Sequence, residues 1–536
     1  MNELQSFVGL LLLAVALFFL IKRFTEKTFI GGLLRFVWDI LEVLFAPIFQ
    51  PLFDRIRSWI WGSTSGIHGT SRFLNRKEKR KLLSPFHKGF SINGFPGDRL
   101  SVKWSQRHLI GLAPSGGNKS TALVIPGIQM AEGSMVVNDP DGSIYTNTAG
   151  FLRQKGMEVL VLNLSEPNRG ERYNPILRAN TPTQIARFAD AVLQSSLQTG
   201  GKDSFWNESA KKLLVLLVKA LKVQPVPFQN MANLQYLLDC FGTDGKPLID
   251  LFLDTDAHTR QQFIGLLSAK EEMLQDIVMT CRTMLKLWDD PSICQLTATD
   301  TLDFERLRKK PTALYLINRE TNFDSTLSSL FFTQLFDFLM EKPQESDQNI
   351  TLFLDEAGNF KVPELDKLIT VLRRRRVAVQ LIVQDLSQFN VLYSKDKAAT
   401  IFSNCSTKVI FPGLSLETCR MISELMGTQT VRYIDPFLED KNGQPTVSER
   451  PRPLMTPDEI FSMKDGVIVL IGNNRPLLTR LNPFYQDPVM KKQAAIPPPI
   501  LPFYDSAELP RIDLQNLLLD DDPREFHESE TKLKSA

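Results

Sequence analysis

Two stretches that lie far apart in the chain decide the fold: Leu109-Ile110-Gly111-Leu112-Ala113-Pro114-Ser115-Gly116-Gly117-Asn118-Lys119-Ser120-Thr121, and Ile350-Thr351-Leu352-Phe353-Leu354-Asp355-Glu356-Ala357. The first runs from a short apolar strand through small residues into a helical pattern, the context a phosphate-binding loop requires. Backbone N–H groups of such a loop cradle phosphates at a helix N-terminus, where the helix dipole favours negative charge. In that reading Lys119 pairs the β- and γ-phosphates of ATP, Ser120 ligates Mg²⁺, and Ala113, Pro114, Ser115, Gly116, Gly117, Asn118 and Thr121 complete the nucleotide cradle. The pattern G-x-x-x-x-G-K-[ST] sets its two glycines on Ala113 and Asn118. Asn is the non-glycine residue best able to adopt left-handed backbone angles, and Gly116 and Gly117 keep the loop open. The competing reading is a strand-to-helix turn without ligand.

The second stretch weighs against that alternative. An apolar strand ending in two adjacent carboxylates places Asp355 to hold Mg²⁺ through water and Glu356 to orient or deprotonate an attacking water. The strand Val377–Val383 ends in Gln384, suited to sense the γ-phosphate or the water; otherwise it is a polar strand end. Together these residues specify an NTPase.

Working outward, strands are expected at 108–112, 134–138, 159–162, 312–317, 350–354, 377–383, 408–411 and 467–471. Most are apolar throughout, as in a parallel sheet buried on both faces. The fold class is α/β. Between 182 and 290 helical periodicity replaces the strand signal, so this stretch reads as an all-α insertion dividing a nucleotide-binding domain into 63–181 and 291–487. Residues 488–536 hold the proline-rich Ile496-Pro497-Pro498-Pro499 and the acidic Asp520-Asp521-Asp522, a semi-rigid linker followed by an extended or docking tail.

Residues 1–62 read as a membrane anchor. Leu4 to Ile21 has no charged residue, and at ~1.5 Å per helical residue it just covers a hydrocarbon core of ~30 Å. Lys22, Arg23 and Lys27 follow it, so the positive-inside rule puts the remainder in the cytoplasm of a cell whose inner membrane holds the anchor. A cleaved signal peptide wants its charge before the apolar run. In the second apolar stretch, 28–53, Arg35, Asp39 and Glu42 share one helix face, which suits an interfacial helix; a second membrane-crossing helix is the alternative. The run Arg76-Lys77-Glu78-Lys79-Arg80-Lys81 offers contact to anionic lipid or DNA, or is a solvated loop.

The 536-residue chain carries 62 Lys+Arg against 60 Asp+Glu, a formal net charge of +2, which excludes a polyanion-coating protein. Its five cysteines are odd in number and contain no CxxC pair, which argues against a disulfide framework, a zinc site or an iron–sulfur site.

From Arg107 to Pro476 the sequence resembles the coupling-protein ATPases of bacterial type IV secretion and conjugation systems (TraG/TraD type). The likeness rests on Ser134-Met135-Val136-Val137-Asn138-Asp139-Pro140-Asp141-Gly142 with Tyr145, Thr148-Ala149-Gly150, Tyr173-Asn174-Pro175, Phe205-Trp206, Leu354-Asp355-Glu356-Ala357 with Asn359-Phe360, Gln384-Asp385-Leu386-Ser387-Gln388, Asn404-Cys405 and Arg452-Pro453-Leu454-Met455. It implies a membrane-anchored RecA-like P-loop NTPase domain, interrupted by an all-α substrate-selecting domain and assembled as a homo-hexamer. It adds Asp139 to the nucleotide-binding set, and as partners it implies membrane lipid, inner-membrane secretion components, and DNA, relaxase or effector protein. The chain departs from the family at Asp141, an acid where the family usually has lysine; at that place it would oppose phosphate by like charge. In ring ATPases an arginine finger reaches the site from the neighbouring subunit, and one of Arg374, Arg375 or Arg376, in the run Arg373-Arg374-Arg375-Arg376, is expected to serve. DNA-facing or solvated arginines are the competing reading. The implied function is an ATP-driven motor delivering DNA or nucleoprotein to the secretion channel. A catalytically degenerate substrate receptor is the alternative; a DNA translocase of the FtsK/HerA type is disfavoured by the helical insertion.

Overall fold

The computed structural model describes residues 66–196, 204–318, 324–439, 445–464, 466–505 and 508–514. The expected membrane segments 4–21 and 28–53 lie outside these residues. Among the described residues no helix is long and apolar enough to cross a membrane. The basic run that begins at Arg76 is a capped helix, α1 (Arg76–Leu82). The Asn75 side chain accepts from the Glu78 N–H while the Glu78 carboxylate accepts from the Asn75 N–H, satisfying two otherwise orphaned donors. Ion pairs tie Glu78 to Arg72 and Lys79 to Asp98.

The strands are β1 (Leu109–Leu112), β2 (Ser134–Asp139), β3 (Glu158–Asn163), β4 (Thr312–Ile317), β5 (Ile350–Leu354), β6 (Val377–Val383), β7 (Thr407–Ile410), β8 (Thr428–Glu439), β9 (Pro445–Pro453), β10 (Val467–Ile471) and β11 (Leu477–Thr479). Among the described residues, nine form one sheet in the order β11-β10-β7-β1-β6-β5-β2-β4-β3. From β7 to β3 all pairings are parallel, and β10 and β11 extend the β7 side antiparallel. The α/β class and the parallel sheet are therefore as the apolar strands imply. Because successive side chains point to opposite faces, Ile110, Leu112, Leu352 and Leu354 enter one apolar cluster, and Leu109, Phe353 and Ile382 enter the other.

The helices that cover the sheet follow from this split. On the second face lie α2 (Ile125–Met130), continuing from the phosphate loop, and α3 (Ser143–Gln154). Between β3 and β4 the described elements are all helical, including α4 (Pro182–Ser196), α5 (Ser204–Lys222), α6 (Met231–Asp239), α7 (Ala257–Leu267) and α8 (Glu271–Met284). Their apolar stripes, among them Phe188, Leu213, Leu217, Leu234, Phe263 and Ile277, continue the first cluster away from the sheet. The same cluster takes α9 (Asp324–Leu339), α10 (Leu365–Leu372), α11 (Leu386–Tyr393) and α12 (Leu416–Met426). All five cysteines are free.

Among the described residues, those within 71–428 and from 453 onward form one compact unit, and those within 66–70 and 429–452 form a second. In the second unit β8 pairs with β9, and Thr70 bridges to Gln429.

The C-terminal segment folds back over the sheet domain. It starts as α13 (Pro488–Ala494), whose Met490 carbonyl accepts from the Gln129 amide at 3.2 Å. It then passes over α3, where the Tyr145 hydroxyl donates to the Pro499 carbonyl at 2.9 Å. Further on, the Arg172 guanidinium lies over Tyr504, with its Cζ 4.5 Å from the ring centroid. At α6, Asn233 donates to the Pro510 carbonyl and accepts from the Ile512 N–H, and Leu514 is buried. This strap therefore joins the sheet to the helical segment.

Candidate nucleotide site

β1 and β5 are separated by β6 alone, so the loop after β1, the acidic pair after β5 and Gln384 after β6 converge at the carboxyl-terminal edge of the parallel strands. That edge is where open α/β sheets bind ligands. The loop has the shape its sequence demands. The Ala113 N–H donates to the Val383 carbonyl at 3.0 Å, Gly116 has φ +76°, and Asn118 has φ +60°. Asn118 thus takes the left-handed angles usually left to glycine. Ser115, Gly116 and Asn118 are exposed on the loop while Lys119 is buried. Ser120–Val124 opens as a wide helical turn before α2, and the Thr121 hydroxyl bonds to the Asn118 carbonyl at 3.2 Å.

Lys119 Nζ lies 2.8 Å from Glu356 Oε1. Ser120 Oγ donates to Asp355 Oδ2 at 2.5 Å. Burial raises the Asp355 carboxyl above the usual carboxylate range, while the Ser120 hydroxyl and the Lys119 charge pull it back. Glu356 sits at φ +53°, a left-handed conformation that costs a residue with a Cβ about 1–2 kcal/mol. Its carboxylate is held a second time, by Asn359 Nδ2 on Oε2 at 2.9 Å, and Gln388 donates to Asn359 at 3.2 Å. Gln384 directly follows Val383, which stands beside Leu112 in the β1–β6 register.

The donor set fits Mg²⁺ with a nucleoside triphosphate. A buried cation, a hydroxyl and two carboxylates meet at the mouth of an open loop. Mg²⁺ usually takes one or two protein oxygens and leaves its other positions to water and phosphate. Accordingly, among the described residues no group of three or more His, Cys, Asp and Glu is placed to hold a metal on its own.

Asp139 does not join this cluster. It ends β2, three strand positions from β1, or about 14 Å at ~4.8 Å per strand. Its carboxylate is spent on α3: Oδ1 accepts from the Gly142 N–H at 3.0 Å and Oδ2 from the Tyr145 N–H at 2.7 Å. Burial pushes its carboxyl up to about 7. Asp141 is exposed on the same turn and accepts from the Ser143 N–H.

The arginines lie at the other edge of the sheet. They precede β6 while Gln384 follows it, which separates them from the phosphate loop by the strand's length, about 20 Å. Arg374 is exposed and Arg375 partly buried, with the Arg375 carbonyl accepting from Arg308 at 2.9 Å. Arg376, at φ +56°, donates to the Gln344 and Glu345 carbonyls. Arg374 and Arg375 therefore cannot act on the site of their own subunit. Nearby, the buried His108 accepts the Val379 N–H on Nδ1, which leaves Nε2–H to donate to the Ile369 carbonyl at 3.0 Å in the last turn of α10.

Asn138, Asn359 and Gln388 are polar residues at the site to which the sequence reading gave no role, although all three lie inside the quoted motifs.

The chain matches the family described as Type IV secretory system Conjugative DNA transfer over residues 73–501. It belongs to that family. VirD4 of Agrobacterium fabrum is 24% identical over 461 residues, covering 79% of this chain and 67% of that protein. The conjugal transfer protein TraG of Escherichia coli is 24% identical over 505 residues, covering 81% of this chain and 79% of that protein. Among solved structures, the bacterial conjugative coupling protein TrwB, in its form lacking the N-terminal segment, superposes with a TM-score of 0.59 at 18% identity, covering 77% of this chain and 93% of that one. The same protein has been solved with a non-hydrolysable ATP analogue, and with ADP and Mg²⁺.

Proposed function

We propose that the protein is an ATP-dependent coupling protein of a type IV secretion or conjugation system, anchored in the inner membrane by residues 1–62 with its bulk in the cytoplasm. The observation that carries this reading is the pairing of Lys119 with Glu356 and of Ser120 with Asp355. In this proposal Ser120 and Asp355 hold Mg²⁺, Lys119 and the loop from Ala113 to Thr121 hold the phosphates, and Gln384 senses them. The bound Mg²⁺–nucleotide supplies the phosphoanhydride and the charge neutralisation that its cleavage needs. Glu356 takes the proton of the attacking water.

The position of Arg374 and Arg375 favours a ring, because their edge can reach a phosphate loop only in a neighbouring copy. A homo-hexamer that delivers DNA or nucleoprotein to a secretion channel is the assembly this supports. The degenerate-receptor alternative leans on Ala113 and Asn118. Against it stand the left-handed Asn118 and the place of Asp141 on the turn after β2, three strands from β1. The test is phosphate release by the full-length protein in lipid nanodiscs, with and without DNA. Turnover abolished by Lys119→Ala and by Glu356→Gln is expected. Wild type at the Lys119→Ala background under all conditions would leave the receptor reading.

A further inference from the structure

Glu356 is held in a strained backbone conformation, and the peptide that sets it is gripped from an adjacent strand. Asn138, buried near the end of β2, donates from Nδ2 to the carbonyl of Asp355 at 2.7 Å. That carbonyl belongs to the Asp355–Glu356 peptide, whose plane fixes where the Glu356 Cα and side chain go. On the other side of that peptide the Glu356 N–H donates to Asp355 Oδ1 at 3.0 Å, and in the next peptide the Ala357 N–H donates to the Ile382 carbonyl at 2.9 Å. The Asn138 amide is itself fixed. Its Oδ1 accepts from Asn318 Nδ2 at 2.6 Å, and Asn318 Oδ1 accepts from the Ser328 hydroxyl at 2.7 Å. Asn318 follows β4, and its N–H donates to the Asp139 carbonyl at 3.0 Å. Ser328 lies on α9, which packs against α4 of the helical segment.

We propose that Asn138 is a positioning residue for Glu356, oriented by the relay Asn318–Ser328, so that the readiness of the catalytic carboxylate depends on the seating of α9. The proposal rests on the ATPase reading above. An amide in this place is specific: the Asp355 carbonyl needs a donor, Asn318 Nδ2 needs an acceptor, and only an amide of this length offers both at once. A carboxylate at 138 keeps the acceptor and loses the donor. Lost hydrogen bonds of this kind cost about tenfold in an equilibrium.

The experiment uses the full-length protein in nanodiscs with three variants, Asn138→Asp, Asn138→Ala and Asn318→Ala, and reads phosphate release together with the affinity for a fluorescent ATP analogue. Expected are a drop in kcat of about tenfold or more for both Asn138 variants, with KM and analogue affinity within about threefold of wild type. A smaller drop is expected for Asn318→Ala, and the double variant Asn138→Ala/Asn318→Ala should be no slower than Asn138→Ala. Unchanged kcat in Asn138→Asp, or affinity falling in step with kcat, overturns the proposal. Asn138→Asp, nearly isosteric, serves where Asn138→Ala does not fold. Should wild type itself show no turnover, the ATPase reading fails, and amide exchange then decides the positioning claim. The Glu356 and Ala357 amides are expected to exchange at least fivefold faster in Asn138→Asp with distant amides unchanged, and unaltered exchange there refutes it.

Discussion

Gly150, inside the quoted Thr148-Ala149-Gly150, is mid-helix in α3 beneath the C-terminal strap. A Cβ at this position would stand 2.2 Å from the Ile496 carbonyl oxygen and 2.4 Å from that of Pro497. Gly150→Ala therefore sets two effects against each other. Alanine is the better helix former by about 1 kcal/mol, and in an open helix it would stabilise. Here the added methyl meets two backbone oxygens at about two-thirds of a contact distance, and backbone cannot rotate away as a side-chain tip can. The strap must lift, which endangers the bonds from Tyr145 to the Pro499 carbonyl and from Gln129 to the Met490 carbonyl. At about 1 kcal/mol net for each bond, with the loss of apolar contact between α13 and α3, the expected balance is a destabilisation of about 2–3 kcal/mol. Urea unfolding of the full-length protein in detergent, followed by tryptophan fluorescence, measures it. Amide exchange on residues 488–504 should rise at the same time. A variant as stable as wild type, with an unchanged exchange pattern, would refute the argument that this glycine is required by the strap.

Three further outcomes follow from the site. Burial lifts the Asp139 carboxyl from its ordinary 3.8 to about 7, so its neutral form is the one the fold favours. Stability from this group is complete below about pH 4, declines by at most about 1.4 kcal/mol per pH unit up to pH 7, and is flat above. Urea midpoints measured from pH 4.5 to 8 should show that decline, and Asp139→Asn should flatten it whatever its own cost. Asn118→Gly removes about 1 kcal/mol of left-handed strain from the folded loop but frees the unfolded chain. Its midpoint should stay within about 0.5 kcal/mol of wild type, while phosphate release rises a few-fold because the phosphates lose a crowding side chain; slower release counts against the loop assignment. Mixing Lys119→Ala with Arg374→Ala/Arg375→Ala protein should restore part of the turnover that each lacks alone, since one interface in such a ring carries both intact partners, and no restoration would remove these arginines from the site.

Eight strands were legible because their buried faces leave uninterrupted apolar runs, and the sheet bears them out to within a residue or two at either end. The β8–β9 hairpin was not, for Asp435-Pro436 and Arg450-Pro451-Arg452-Pro453 carry the prolines and charges that normally demote a strand. β11 has three residues and no period to read. The paired residues of the site were legible from their chemistry: a lysine and a hydroxyl on a loop, and two acids on a strand. The capping of α3 by Asp139 was not legible, because a buried carboxylate capping a helix and a carboxylate facing phosphate look alike in sequence. Only the strand order separates them. For the arginines, parallel strands already dictate the outcome, since residues entering β6 and residues leaving it stand at opposite edges of the sheet. The strap was hidden by its prolines, which read as a linker until the Gly150 cleft is seen to receive it.

In the proposed mechanism the pairing that marks the site also restrains Glu356 until nucleotide binds. Glu356 Oε1 accepts from Lys119 and Oε2 from Asn359, and a donor on each oxygen weakens the carboxylate as a base. Asp355 is engaged by Ser120 in the same way. Lys119 is the one cation in this group, and phosphate is the stronger claim on it, being multiply charged and presented by the loop that carries the lysine. Once Lys119 turns to phosphate, Oε1 is released while Asn359 still holds Oε2, and Glu356 becomes a base in the place where it was stored. The free energy of breaking the Lys119–Glu356 pair is then part of binding rather than part of chemistry. On this account Glu356→Gln should bind nucleotide at least as tightly as wild type while failing to turn it over, because the amide gives Lys119 a weaker partner to leave. Tighter binding with no turnover is the signature to seek by titration with a fluorescent ATP analogue. Binding weakened in step with turnover would mean that Glu356 holds the nucleotide itself, and the idea of a stored base would fall.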